Sequence, residues 1–361
     1  MHGAGPDDIV ATRAAAAASA REPLLVLDTL AAFLAERGLG SGELEATPIG
    51  EGHSNVTYLV TSGAGDGEVV LRRPPRGPLA PSTHDVLREA RLLRALAGTG
   101  ARVPRVLAVC EDDAVIGAPF YLMERVHGEV LTSAVPPGLD SAAARRRCGE
   151  ELVDALAEIH AVDWRACGLE GFSSNPDGYL ERQLRRFGGL WERHRTRDVP
   201  AVEEVGAWLR EHLPASGPAT IVHGEYRLGN VMFSSAEPVR LLAVFDWELA
   251  TLGDPLADVG YLCALWSEPG DPPLGGFEPS RVTREPGFPT RDELVARYEE
   301  ASGRAMADID WYRALALWKA TIFMEGNYRR ALAGTTDDPW LQGFGEGVVA
   351  IAERALALTA R

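Results

Sequence analysis

The sequence predicts an α+β chain in two parts, a small antiparallel β-sheet lobe followed by a larger, mainly helical lobe. Three observations carry that reading. Between residues 44 and 126, short β-branched and aromatic segments alternate with Gly, Pro and Asp turns. From about Ser141 onward, apolar residues recur at helical spacing in successive runs. One strand–loop–strand stretch, 221–248, interrupts those helices and gathers acids and an amide. The 361 residues suffice for about two domains at ~150 residues each. The expected boundaries are an N-terminal helical extension over 1–43, the sheet lobe over 44–126 and the helical lobe over 127–361.

In chain order, residues 1–22 are alanine-rich with acids at Asp7 and Asp8. Without a cationic start or a compact apolar core they read as a helical extension rather than a signal peptide. Leu27, Leu30, Ala31 and Leu34 repeat at helical spacing, and Gly38 stops that helix. Leu44–Ile49, Val56–Thr61 and Glu68–Arg72 read as three strands of a meander, ended by Pro74-Pro75. In the turn between the first two, Gly50 and Gly52 let backbone N–H groups approach a phosphate closely, and Ser54 and Asn55 add side-chain donors. Any tight hairpin also wants glycines, so that turn alone decides nothing. Arg72 is the anion-binding candidate of the third strand, with Arg73 expected to face solvent. Ser82–Asp85 resembles a capping box for a helix running to Leu96, whose apolar face is bordered by Glu89. Strands Arg105–Cys110 and Phe120–Glu124 then lead into Arg125-Val-His-Gly128, the expected passage between lobes.

In the helical half, Cys148, Leu152, Ala155, Leu156 and Ile159 form a core-facing stripe ending near His160, which reads as the end of a buried helix. Gly178–Gln183 and Ala201–His212 are further helices. Asp254 and Asp258, flanking Pro255, are expected to cap and anchor the next one. Glu268–Thr290 is Pro/Gly-rich without periodicity and is expected to be an exposed loop. Arg291–Ala301, Trp311–Ala333 and Trp340–Thr359 close the chain as helices. Glu325, Tyr328 and Arg329 share a helical neighbourhood, either as a pocket lining or as a satisfied surface network.

Composition narrows the function classes. A formal net charge of −16 argues against a nucleic-acid or anionic-membrane binder, since phosphate affinity rests on clustered Lys and Arg. The only lysine is Lys319, so the Gly-Lys-Ser/Thr of a P-loop cannot be present. No GxSxG elbow and no HExxH helix occurs. No apolar run reaches the ~18 residues of a membrane span. Cys110, Cys148, Cys167 and Cys263 have no CxxC pairing and no His at metal spacing, which suits reduced thiols and a cytoplasmic location.

The chemistry concentrates in Ile221-Val-His-Gly-Glu-Tyr-Arg-Leu-Gly-Asn230 and Leu241-Leu-Ala-Val-Phe-Asp-Trp-Glu248. The first reads as an apolar strand and a polar loop carrying Glu225 and Asn230. The second brings Asp246 to the point where the chain leaves the sheet. One carboxamide and one carboxylate make a hard-oxygen site that suits Mg²⁺ when phosphates supply the other ligands. Glu225 is left to orient or deprotonate a hydroxyl.

His223-Gly-Glu-Tyr-Arg-Leu-Gly-Asn230, Phe245-Asp-Trp-Glu248 and Thr251-Leu-Gly-Asp-Pro-Leu-Ala-Asp258 resemble the aminoglycoside phosphotransferase (APH)/choline kinase superfamily. The likeness is greatest to the branch associated with acyl-CoA dehydrogenases, which reads HGDYRxxN, LDWE and LGDPLxD. Gly52-His-Ser-Asn-Val-Thr-Tyr58 is similar to the family's GxSNxTY stretch. The resemblance implies a bilobal protein-kinase-like fold and an ATP- and Mg²⁺-dependent phosphotransferase acting on a small-molecule hydroxyl. It implies Asn230 and Asp246 as metal ligands, Glu225 as the catalytic acid and His223 as the residue that orients its loop. Glu248 would help to fix the Asp246 turn. Arg72, fixed by Glu89, would clamp the inner phosphates under the turn 50–55. The backbone of Glu124–Val126 would read adenine, and Arg227 would stabilise the transferring phosphoryl group. The acceptor would be a hydroxyacyl compound or an aminoglycoside-like molecule, and the acidic balance suits a cationic one. Glu225 departs from the family's Asp by one methylene. A misplacement of ~1 Å can cost on the order of 10²-fold in rate, which opens the alternative of a nucleotide-binding, pseudokinase-like module with weak or no turnover.

Overall fold

The computed structural model describes residues 8–50, 55–63, 67–77, 84–272, 278, 280–334, 341 and 343–360. The chain divides into two compact units, Met1–Ala97 with Val103–Val126, and Gly98–Arg102 with His127–Arg361.

The first unit opens with a feature the sequence did not announce. Strand β1 (Ile9–Val10) pairs in parallel with β2 (Leu25–Val26), and only Arg13–Ala18 between them (α1) is helical. Helix α2 (Leu27–Ala35) follows, and Gly38 adopts φ +65° where the helix stops. Strands β3 (Leu44–Pro48), β4 (Val56–Ser62), β5 (Glu68–Arg73), β6 (Val106–Cys110) and β7 (Phe120–Glu124) form a five-stranded sheet of order β3-β4-β5-β7-β6, every pairing antiparallel. Cross-strand register sets Leu71 opposite both Tyr58 and Leu122. Period-two alternation sends Val69 and Leu71 to the face that packs on Leu30, Phe33 and Leu34 of α2. Phe33 and Phe120 meet edge-on there, with ring centroids 5.1 Å apart.

The same alternation corrects the expectation for Arg73. It shares the parity of Leu71, so it enters the core instead of facing solvent and is only 4% exposed. Its guanidinium donates to the carbonyls of Pro74, Leu24 and Ile116, the partners a buried cation requires. Arg72 has the opposite parity and faces helix α3 (Val86–Leu96). That helix is capped by Asp85, which accepts from Arg88 N–H at 2.9 Å. Ser82 of the expected capping box lies outside the described residues.

The second unit holds helices α4 (Ala142–His160), α5 (Tyr179–His194), α6 (Pro200–Glu211), α7 (Leu256–Leu265), α8 (Arg291–Ser302), α9 (Ile309–Leu332) and α10 (Phe344–Thr359). It also holds strands β8 (Thr220–Val222), β9 (Val231–Phe233), β10 (Leu241–Val244) and β11 (Thr251–Gly253), paired antiparallel as β8–β11 and β9–β10. Trp311, Leu315, Trp318 and Ile322 of α9 pack with residues of α6 and α10 in the core. Gly260 lets α7 lie directly against α9, since a Cβ there would stand 2.5 Å from Tyr312 Cβ and 2.6 Å from its carbonyl carbon.

Two expectations for this unit are corrected. The segment after Glu268 is packed where it is described. Val282 and Thr283 are buried, and the Thr283 hydroxyl bonds both the amide and the carbonyl of Ser267. Arg291 pairs with Glu268 at 3.0 Å and also with Asp271. Residues 273–277 and 279 of that segment lie outside the described residues. Glu325 is fully buried and accepts from Thr196 N–H at 2.8 Å and its hydroxyl at 2.7 Å, an internal brace rather than a pocket lining or a surface group. Cys110, Cys148 and Cys263 are buried and none of the four cysteines is in a disulfide. Among the described residues no helix is long and apolar enough to cross a membrane.

Candidate active site

Strand β8 ends at Val222 and delivers the loop His223–Asn230, which passes through a 3-10 turn at Leu228–Asn230 into β9. Gly224 takes φ +89°, and a Cβ there would lie 2.9 Å from the Leu249 carbonyl oxygen. Both conformation and space therefore demand glycine. His223 is buried; Nε2 lies 2.8 Å from the Phe245 carbonyl oxygen, and Nδ1 accepts the Glu225 N–H at 3.2 Å. That pair of bonds fixes the neutral ring with its proton on Nε2. Burial lowers the ring's pKa, in agreement. Tyr226 is also held inward, donating to the Leu152 carbonyl of α4 at 2.7 Å. Glu225 and Arg227 are thereby presented outward, with side chains 27% and 26% exposed and Oε1 3.7 Å from Nε.

The anchor of this loop is Asp258, read from the sequence as part of a helix cap. Asp254 precedes the Pro255 N-cap of α7 and accepts from Leu256 N–H at 3.0 Å and from the Tyr312 hydroxyl at 2.8 Å. Asp258 instead takes the His223 amide at 2.6 Å and the Gly224 amide at 2.8 Å. It also faces His160 Nε2 at 3.3 Å, and His160 Nδ1 meets the Tyr298 hydroxyl at 2.7 Å. Burial alone would raise the Asp258 pKa. The hydrogen bond with His160, the neighbouring imidazoles of His160 and His223 and the Gly224 amide together hold it below the ordinary value. His160 thus does more than finish its helix.

Tyr261, one turn further along α7, donates its hydroxyl to Glu225 Oε1 at 3.4 Å. Neither Tyr261 nor the His160–Tyr298 pair carries a signal in the local sequence. Burial, followed by the negative charge of Asp246, raises the Glu225 pKa against the opposing pull of Arg227 and Tyr261. An outward-facing acid poised above its ordinary range suits proton transfer.

The β9–β10 pair sets the Asn230 backbone beside Phe245, the residue before Asp246. Val231 opposes Val244, and the Phe245 amide donates to the Asn230 carbonyl at 2.8 Å. The Asn230 side-chain nitrogen donates to the Glu225 carbonyl at 2.9 Å, which leaves Oδ1, the atom a hard cation takes. Asp246 adopts the left-handed conformation, φ 63° and ψ 60°. That conformation is uncommon outside glycine and marks strain held by its surroundings. Among the described residues no group of three or more His, Cys, Asp or Glu could hold a metal alone. One carboxamide and one carboxylate fit Mg²⁺ that draws its other ligands from phosphate oxygens and water.

In the first unit the structure joins Arg72 and Glu89, Nε to Oε2 at 2.9 Å, with Thr57 accepting from Arg72 at 3.3 Å. Gly50 takes φ +83°, and Asn55 is 4% exposed. Gly52 and Ser54 lie outside the described residues. Glu124 ends β7 with its N–H given to the Arg105 carbonyl at 3.0 Å, and Val126 is half-buried at the end of the unit.

Residues 45–315 match the sequence profile of the phosphotransferase enzyme family, APH. Acyl-CoA dehydrogenase family member 10 of Mus musculus is 37% identical over 318 residues, which cover 87% of this chain and 29% of that protein. Acyl-CoA dehydrogenase family member 11 of Homo sapiens is 32% identical over 343 residues, which cover 92% of this chain and 43% of that protein. The chain therefore spans less than half the length of either relative. A crystal structure from Ralstonia eutropha JMP134, of a protein assigned to the aminoglycoside phosphotransferases, superposes with a TM-score of 0.78 at 32% identity, covering 92% of this chain and 98% of that one. An antiparallel sheet unit, a mainly helical unit and a His-Gly-Glu loop braced by Asp258 are thus placed in a protein-kinase-like fold, and the chain belongs to the phosphotransferase enzyme family.

Proposed function

We propose that the protein transfers the γ-phosphoryl group of ATP to a hydroxyl of a small molecule, with Mg²⁺. The observation that carries this is the loop in which Glu225 stands outward between Arg227 and Tyr261 while the Asn230 amide is tied to its carbonyl. Glu225 would orient the acceptor hydroxyl and receive its proton as the oxygen bonds to phosphorus and ADP departs with the bridging electron pair. Arg227 would offset charge on the transferring group. Asn230 Oδ1 and the Asp246 carboxylate would hold the Mg²⁺, which when bound neutralises the phosphate charge. Arg72, steadied by Glu89, would bind inner-phosphate oxygens through its fork, assisted by the turn Gly50–Asn55. The backbone at Glu124 and Val126 would read the base.

The test is ATP consumption over a panel of hydroxyacyl thioesters and aminoglycosides, for the native chain beside Glu225→Asp and Asp246→Asn. Turnover that collapses in Asp246→Asn is expected. A large rise in Glu225→Asp would mean that the longer acid impairs this site, and a fall would mean that it is adapted. Mg·ATP binding without turnover by the native chain and by Glu225→Asp would overturn the transferase reading.

A further inference from the structure

Lys319 is the only lysine in the chain; all its other Lys/Arg positions are arginine. It lies on α9 and lines a small pocket with Gly224, Asp258, Tyr261, Tyr179 and Tyr312, so it borders the loop that carries Glu225. The pocket has room for little more than a water-sized group. Among the described residues Lys319 has no carboxylate at ion-pair distance and no hydrogen-bond acceptor. Its one close companion is the Phe187 ring, whose centroid lies 5.0 Å from Nζ. The nearby acids are already engaged, Asp258 by two amides and His160, and Glu225 by Arg227 and Tyr261.

A half-buried ammonium without a partner is unfavourable unless something else supplies the counter-charge. A compact ammonium also fits where a planar guanidinium is too large. We propose that Lys319 is the acceptor-binding cation of this site and that the acceptor carries an oxyanion, a carboxylate or phosphate, on the same molecule as its hydroxyl. The inference rests on the phosphotransferase reading and narrows it, because a cationic acceptor would be repelled where an anionic one is held. The pocket itself is too small for a carboxylate or phosphate, so the half-buried Lys319 ammonium would meet the charged end from its exposed side, with the remainder of the acceptor extending toward Glu225. Burial lowers the Lys319 pKa to about 8, with Arg186 lowering it further and Asp258 and Glu225 opposing. The amine therefore stays mostly protonated at neutral pH yet remains reactive.

That reactivity allows a test without turnover. Reductive methylation of Lys319, followed by mass spectrometry with the α-amino group as internal control, is measured in glycerol, glycerate or glycerol 3-phosphate, three probes of matched skeleton. Glycerate, glycerol 3-phosphate or both are expected to slow labelling several-fold while glycerol does not. Protection by one but not the other identifies the oxyanion. Equal labelling in all three overturns the proposal. If the panel above yields a turned-over acceptor, Lys319→Met, shown by its melting curve to be folded, is expected to raise KM on the order of tenfold or more, with a much smaller change in kcat. A fall in kcat at unchanged KM would instead show that Lys319 tunes the loop's own charges, and would overturn it. Protection without any turnover would preserve the anion site and sink the transferase reading, so the two failures are distinguishable.

Discussion

Glu225 is held at both ends, its carbonyl by the Asn230 amide and its carboxylate by Tyr261 and Arg227. Glu225→Gln keeps the shape and removes the proton acceptor. It is expected to lower kcat by about 10²–10⁴-fold, the usual span for a general base, with Mg·ATP binding retained; steady-state kinetics beside a binding titration check this. Asp258 acts on the same loop through its backbone. Its folded pKa is depressed, so its stabilisation is present above the unfolded value of about 3.9 and is lost as pH falls through the folded value. Asp258→Asn should therefore destabilise the protein by about 1–3 kcal/mol at neutral pH. The gap between variant and native melting should narrow below about pH 4. A constant gap down to pH 2 would deny the charge its role.

At the scale of elements, the close seat of α7 on α9 is what brings Asp258 and Tyr261 to the loop. Gly260→Ala tests that seat with a signed outcome. Helix propensity alone would make alanine stabilising by about 1 kcal/mol. The contact with Tyr312 at 2.5 Å should outweigh it and destabilise by about 1–3 kcal/mol, with a loss of kcat although no catalytic group is altered. A raised melting temperature would show that α7 has slack. The elements themselves were largely legible, because strands such as Val56–Ser62 and helices such as Arg291–Ser302 carry their own periodicity and caps. The β1–β2 pair was not, since two residues per strand contain no period. Arg73 was misread for a simpler reason. Alternation from Leu71 gives its face, and three backbone carbonyls compensate the charge that would otherwise place it in solvent. The candidate site divides in the same way. Glu225, Asn230 and Asp246 sit in contiguous motifs, whereas Asp258, His160 and Tyr298 converge from α7, α4 and α8 through contacts that no local pattern encodes.

For the whole molecule, each unit has its own hydrophobic core. A ligand that binds only the folded chain stabilises it by about 2.7 kcal/mol at about one hundred times Kd. Mg·ATP should therefore raise the melting temperature by several degrees. Asp246→Asn separates the contributions. Asparagine keeps the volume and can still occupy the left-handed conformation, so the variant should remain folded, and its ligand-induced shift is read against its own unliganded melting temperature. Its neutral amide is a poorer Mg²⁺ ligand, so the part of the ATP shift that disappears with EDTA in the native protein should already be missing from the variant. The metal-independent part, assigned by the proposal to Arg72, should remain. Arg72→Met should remove that part, and it should also lower the unliganded melting temperature, because it breaks the ion pair with the buried Glu89. If Asp246→Asn kept the full EDTA-sensitive shift, the ion would have to be held elsewhere, and the proposed joint ligation by Asn230 and Asp246 would fall.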